Sequence, residues 1–146
     1  MRKPGIRLYK LGSYAFILFA LVHSLNYFSD PAKLLTNEED KKIFHEIQTH
    51  VFNLGGFSTT TGDLLTGFNL YLSVFTLGLG MLNVFLIKHL RENVAVLKTA
   101  AAINVLITGA LLAVTALFFH LPPLILFGLS CLFFLSSFVL LRKPEV

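Results

Sequence analysis

Long uncharged runs alternate with short charged segments along the chain. Residues 11–29, 64–87 and 99–141 contain no Asp, Glu, Lys or Arg, and Pro122-Pro123 beside His120 divides the longest run. Each resulting segment is long enough to cross a hydrocarbon core of about 30 Å, where helices satisfy their own backbone hydrogen bonds. The pattern therefore predicts four transmembrane helices, at about 9–28, 62–88, 98–119 and 123–141.

The segment between the first two spans has its own helical pattern. Thr36 followed by Glu39 is typical of a helix start. The apolar residues from Ile43 to Leu54 follow at helical spacing, and Gly55-Gly56 ends the pattern. We expect an amphipathic outer helix at about 37–54. The predicted fold is all-α: a four-transmembrane-helix bundle, a single integral membrane domain 1–146, with the outer helix between helices 1 and 2.

Composition supports the membrane class. The chain is 55% hydrophobic and 14% charged, with a mean hydropathy of +0.73. A soluble domain would need more charge to cover its surface. The first span has the basic start of a signal peptide, but its apolar run is long and no small-residue cleavage site follows, so we interpret it as a retained helix. Cys131 is the only cysteine, which excludes an intramolecular disulfide and CxxC redox chemistry.

The distribution of basic residues predicts the orientation. Nine of the twelve Lys and Arg fall on the side of the N-terminus, and three fall in the outer segment (Lys33, Lys41 and Lys42). The positive-inside rule then places both termini in the cytoplasm. We expect a multi-pass protein of the bacterial inner (cytoplasmic) membrane. The net charge of +4 is explained by membrane anchoring, so no nucleic-acid partner is expected.

A stripe of small and polar residues follows one face of the second span. Its members recur at steps of three and four: Thr66, Asn69, Ser73, Thr76, Gly80 and Asn83. The third span offers a matching row, Ala101, Asn104, Thr108 and Thr115. Small residues allow close helix approach, and amides and hydroxyls can hydrogen-bond between helices. The row predicts a polar seam between helices one, two and three, either as packing contacts or as a pocket.

His23 is the ionisable group of the first span, which makes it a functional candidate. Asp63 opens the second span at a comparable depth in an up-down bundle. A histidine beside a carboxylate is suited to proton transfer, so His23 and Asp63 are the candidate catalytic pair. A purely structural hydrogen bond of His23 is the alternative. The candidate ligand-binding residues are Asn26, Tyr27, Thr66, Asn69, Ser73, Asn104 and Thr108.

The outer segment also contains His45, Glu46 and His50. The two histidines are five residues apart, whereas a zinc-binding HExxH helix needs them four apart on one face. A solvated or interfacial face is the preferred interpretation. We expect no metal site and no cofactor.

Two motifs carry a family resemblance. They are "LVHSLNYF" in the first span and "FNLGGFSTTTGDLLTGFNLYLSV" at the entry to the second, within Val22 to Val74. In these residues the chain resembles uncharacterised small four-pass integral membrane proteins of bacteria and is distantly similar to DoxX-like proteins. The resemblance implies the architecture and carries over no catalytic residue.

Three functions follow from these features. The first is a non-catalytic bundle that binds a lipid or small apolar ligand or serves as an accessory subunit, with homo-oligomerisation left open. The second is a membrane enzyme acting on a lipid or isoprenoid-like substrate through His23 and Asp63. The third, an ion channel with "STTTGD" as its filter, is disfavoured because the glycine-aromatic-glycine core of such filters is missing.

Overall fold

The computed structural model describes residues 2–28, 31–118 and 121–141, which form an all-α fold with one short hairpin. Four of its helices are long and apolar enough to cross a membrane, which makes this a multi-pass membrane protein. The predicted features at Asp30, His120 and residues 142–146 lie outside the described residues. The elements in chain order are α1 (Arg2–Leu25), α2 (Glu38–Thr49), β1 (Val51–Leu54), β2 (Phe57–Thr60), α3 (Thr61–Leu90), α4 (Val94–Phe118) and α5 (Leu121–Leu140), with 3₁₀ turns at Asn26–Phe28 and Pro31–Leu34.

The predicted break in the longest run is confirmed. Helix α4 ends at Phe118, and α5 begins at Leu121 with Pro122 and Pro123 in its first turn. Proline is tolerated there because the first backbone N–H groups of a helix have no intrahelical acceptor. Helix α3 has 30 residues and is about 45 Å long at 1.5 Å per residue, so it exceeds the hydrocarbon thickness.

The outer segment differs from the predicted helix 37–54. Helix α2 is capped by Asn37, whose side chain accepts from Glu39 N at 3.0 Å, rather than by Thr36, and it ends at Thr49. Residues 51–54 instead pair antiparallel with residues 57–60. Gly55 and Gly56 have φ of 59° and 89°, and positive φ at both positions is what a two-residue type I′ hairpin turn requires. The glycine pair therefore forms the turn of a β-hairpin and does not directly follow a helix.

The chain divides into two compact units. Unit 1 contains Met1–Phe19 and Thr76–Val146, and unit 2 is Ala20–Phe75, so α1 and α3 each contribute to both. The single domain 1–146 stays a prediction. In unit 2, Thr61 N donates to His50 O at 3.2 Å. A Cβ on Gly62 would lie 2.8 Å from the backbone oxygen of Gln48, so the start of α3 packs closely against the end of α2.

Unit 1 has aromatic and aliphatic contacts between its helices. The Tyr9 ring meets Phe134 edge-on with centroids 5.3 Å apart, and Phe19 lies 4.5 Å from Phe127. Val94, Leu97 and Leu141 form a buried cluster at the end where α4 begins and α5 ends. Where α1 crosses α3, a Cβ on Gly80 would lie 3.1 Å from the backbone oxygen of Ser13. The crossing is close because position 80 has no side chain.

Candidate functional site

The predicted polar row of α3 is buried along only part of its length. Ser73, Thr76, Gly80 and Asn83 are buried, whereas Thr66 and Asn69 are exposed. The Ser73 hydroxyl donates to Asn69 O at 3.0 Å, within its own helix. The matching row of α4 is confirmed as its inward face, because Ala101, Asn104, Thr108 and Thr115 are all buried. The buried part of the row therefore begins at Ser73, one turn of α3 after Asn69.

Three side chains from three helices meet in the interior of unit 1. The amides of Asn83 on α3 and Asn104 on α4 exchange two hydrogen bonds, each 2.9 Å long. Tyr9 on α1 donates its hydroxyl to Asn83 Oδ1 at 2.5 Å. Asn104 Nδ2 also donates to Ala100 O at 2.8 Å and lies 3.4 Å from the Tyr9 hydroxyl. We call Tyr9, Asn83 and Asn104 the amide cluster.

Buried serine and threonine hydroxyls of unit 1 donate to backbone carbonyls. Thr108 donates to Asn104 O at 2.6 Å, Thr115 to Leu111 O at 2.6 Å, and Ser130 to Leu126 O at 2.8 Å. These bonds stay within one helix. Ser137 instead donates to Gly5 O at 2.9 Å and so joins α5 to α1. Polar groups in this interior thus form two kinds of hydrogen bond. The amides and Ser137 join different helices, whereas the hydroxyls of Thr108, Thr115 and Ser130 bond within their own helix.

The candidate catalytic pair lies in unit 2. His23 is partly buried in the last turn of α1. Asp63 is exposed in the first turn of α3, where its Oδ2 accepts from the Thr60 hydroxyl at 2.7 Å. The Thr60 oxygen in turn accepts from Asp63 N at 3.0 Å. Thr60 and Asp63 therefore cap α3, and the cap explains an acid at this position.

The candidate ligand residues are divided between the units. Tyr27, Thr66, Asn69 and Ser73 lie in unit 2, where Tyr27 is exposed and its ring meets Phe28 edge-on at 5.3 Å. The side chain of Asn26 lies outside the described part of the chain. Asn104 and Thr108 lie in unit 1, where Asn104 belongs to the amide cluster. Their role as ligand-binding residues stays a prediction.

Two members of the amide cluster were missed as site residues. Asn83 was predicted as part of the seam, whereas the sequence patterns did not assign Tyr9 to it. Tyr9 is fully buried. Its spacing gave a signal, because Tyr9, Ser13 and Phe16 share a helix face at steps of four and three, and all three are buried.

The hydroxyl run is used in local structure. Ser58 donates to Asn53 Oδ1 at 2.6 Å across the hairpin, and Thr60 caps α3. His50, at the end of α2, has its ring 6.4 Å from Phe52. Ser58 thus stabilises the hairpin, and Thr60 stabilises the start of α3.

A groove of about 450 Å³ lies between the start of α4 and the end of α5. We call it the α4–α5 groove. Its walls are mainly aliphatic, and its aromatic residue is Phe138. Lys98 is the cation of the lining, with its ammonium 5.0 Å from the centre of the Phe138 ring. The lining residues are Val94, Ala95, Lys98, Thr99, Ala102, Phe138 and Leu141.

A second groove, of about 320 Å³, lies between α1 and the end of α3. We call it the α1–α3 groove. Its lining residues are Lys10, Tyr14, Val84, Ile87, Lys88 and Arg91. Both grooves lie in unit 1 at the end where α1 and α4 begin and α3 and α5 finish.

Comparisons with protein-family models, with curated proteins and with solved structures give no match for this chain. The features of this chain that bear on its function are the amide cluster and the two grooves.

Proposed function

We propose that this protein is a non-catalytic lipid-binding bundle of the bacterial cytoplasmic membrane, with both termini in the cytoplasm. The observation that carries the proposal is the α4–α5 groove, an apolar cleft with one lysine along its wall. Its volume falls in the range of small-molecule sites, about 300–1,000 Å³. The ligand that fits is one hydrocarbon chain of a lipid with its phosphate near Lys98.

The position of Lys98 supports this ligand. Helix α4 begins at Val94, so Lys98 lies one turn, about 6 Å along the axis, from the start of the helix. A lysine near a helix end directs its charge toward the membrane surface while its aliphatic stem covers apolar side chains. The contact with Phe138 holds the ammonium beside the groove. The aliphatic walls then contact the acyl chain.

The amide cluster supports a structural role for the interior of this unit. Tyr9, Asn83 and Asn104 are hydrogen-bonded to one another. Such bonds between transmembrane helices stabilise association because hydrocarbon offers no other partner. The polar side chains of the cluster are thus used to join helices, which leaves the surface grooves as the places for a lipid.

Filling the groove tests the proposal. Ala102→Trp places an indole in the lining, whereas Ala110→Trp makes the same substitution at an exposed position of the same helix. Native mass spectrometry of the purified proteins counts retained phospholipids. We expect Ala102→Trp to lose a lipid that the wild type and Ala110→Trp retain. Equal retention in all three proteins, each monodisperse in gel filtration, would exclude the groove as the lipid site.

The enzyme hypothesis stays a prediction from the sequence. It expects Asp63→Asn and His23→Ala to abolish turnover of a lipid or isoprenoid-like substrate while the protein accumulates normally. Asp63→Asn is informative because an amide oxygen can still accept from Thr60, so the cap of α3 is retained.

A further inference from the structure

The α1–α3 groove brings together cations from two helices that are distant in sequence. Lys10 comes from the third turn of α1, and Lys88 and Arg91 come from the end of α3 and the turn after it. A lysine at the end of a helix compensates the helix dipole, which accounts for Lys88 by itself. It does not account for Lys10, which lies away from the end of α1. Both lysines are exposed and line one groove.

The α1–α3 groove has a polar part and an apolar part. The Lys10 ammonium lies 5.4 Å from the centre of the Tyr14 ring, and Val84 and Ile87 supply aliphatic surface. The acid beside the groove is Glu92, whose Oε1 is 3.5 Å from Arg91 Nε, with both side chains well exposed. An exposed ion pair of this kind contributes little free energy. The groove with its neighbour therefore carries three positive charges against one negative charge.

We infer that the α1–α3 groove binds the headgroup of an anionic glycerophospholipid, with the phosphate diester between Lys10 and Lys88 and the first methylenes against Val84 and Ile87. Basic pockets between transmembrane helices are suited to anionic headgroups. The apolar wall favours a lipid over free phosphate, which would leave Val84 and Ile87 in contact with water. A zwitterionic headgroup would bring its positively charged ammonium group toward the lysines and is disfavoured by repulsion.

This site is separate from the α4–α5 groove and does not depend on the function proposed for it. It requires only that the helices lie in a membrane. Loss of lipid from Ala102→Trp tests the α4–α5 groove, and loss from the lysine variant tests the α1–α3 groove. One of the two proposals can therefore be wrong while the other holds.

Removing the two lysines together tests the inference. The variant is Lys10→Gln/Lys88→Gln, and the matched control is Lys33→Gln/Lys42→Gln, which removes the same charge from exposed positions in unit 2. The purified proteins in neutral detergent are titrated with phosphatidylglycerol, phosphatidylcholine or inorganic phosphate, and native mass spectrometry measures the bound fraction. At about 1 kcal/mol per lysine, the groove variant should bind phosphatidylglycerol about 30-fold more weakly, while the control changes less than about twofold.

Phosphatidylcholine should bind all three proteins with the same low affinity, and inorganic phosphate should not displace phosphatidylglycerol. Two results would overturn the inference. Equal weakening in the control variant would show that only overall charge attracts the lipid. Displacement by inorganic phosphate at the concentration of the lipid would show a site for free anions.

Discussion

The side-chain amides of Asn83 and Asn104 exchange two hydrogen bonds, both 2.9 Å long, between α3 and α4. Each amide supplies both a donor and an acceptor, so the pair is reciprocal. Tyr9 adds a third helix by donating to the same Asn83 oxygen. The stability of unit 1 should therefore depend on these residues together.

Asn83→Ala and Asn104→Ala should each lower the free energy of unfolding, because each leaves the other amide buried without its partner. A double-mutant cycle should give a coupling energy of about 1 kcal/mol, within the range measured for polar pairs in membrane proteins. Unfolding by sodium dodecyl sulfate in mixed micelles measures it. The control is Asn69→Ala, an exposed asparagine on the same helix, which should cost less than about 0.5 kcal/mol. A coupling energy near zero would contradict the reciprocal pair.

Tyr9→Phe should destabilise the protein by about 1 kcal/mol, since it removes the hydroxyl and keeps the ring. The edge-on contact with Phe134 at 5.3 Å is retained in this variant, so the change reports the hydrogen bond. Tyr14→Phe removes a hydroxyl from an exposed tyrosine on the same helix. If both variants unfold at the same detergent concentration, the Tyr9 hydroxyl is not part of a stabilising cluster.

Gly80→Val should weaken the crossing of α1 and α3. A Cβ at position 80 would lie 2.6 Å from Ile17 Cγ1 and 3.1 Å from Ser13 O, and relieving such overlap costs about 1–3 kcal/mol. Gly78→Val places the same side chain two residues earlier, where no atom lies within 4 Å of the added Cβ. The midpoint of detergent unfolding should fall for the first variant and change little for the second. The reverse order would place the crossing on another face of α3.

Thr60→Val should loosen the first turn of α3, because the hydroxyl both accepts from Asp63 N and donates to Asp63 Oδ2. Loss of a helix cap costs about 1 kcal/mol, which corresponds to about fivefold faster amide exchange if the turn opens locally. Hydrogen exchange of the peptide 61–66 measures the effect. Thr59→Val is the control from the same strand. Unchanged exchange in Thr60→Val would show that α3 starts without this cap.

The span pattern of the sequence predicted most of the secondary structure. Four apolar helices were confirmed, and the predicted break in the longest run falls between α4 and α5, just before Pro122-Pro123 in the first turn of α5. The outer helix was predicted to end five residues too late because Val51 and Leu54 fit a helical period. Residues 51–54 pair with residues 57–60, and this pairing overrides a short local periodicity.

The sequence by itself determined which segments enter the membrane and which residue types line α3 and α4, since hydropathy and helical spacing are local properties of the chain. Only the tertiary structure decided that Asn83 and Asn104 are buried and paired while Asn69 is exposed. It also decided that Tyr9, which is 74 residues from Asn83 along the chain, completes the cluster. Helical spacing places side chains on one face, but the helices that pack against that face select which of them are buried and hydrogen-bonded.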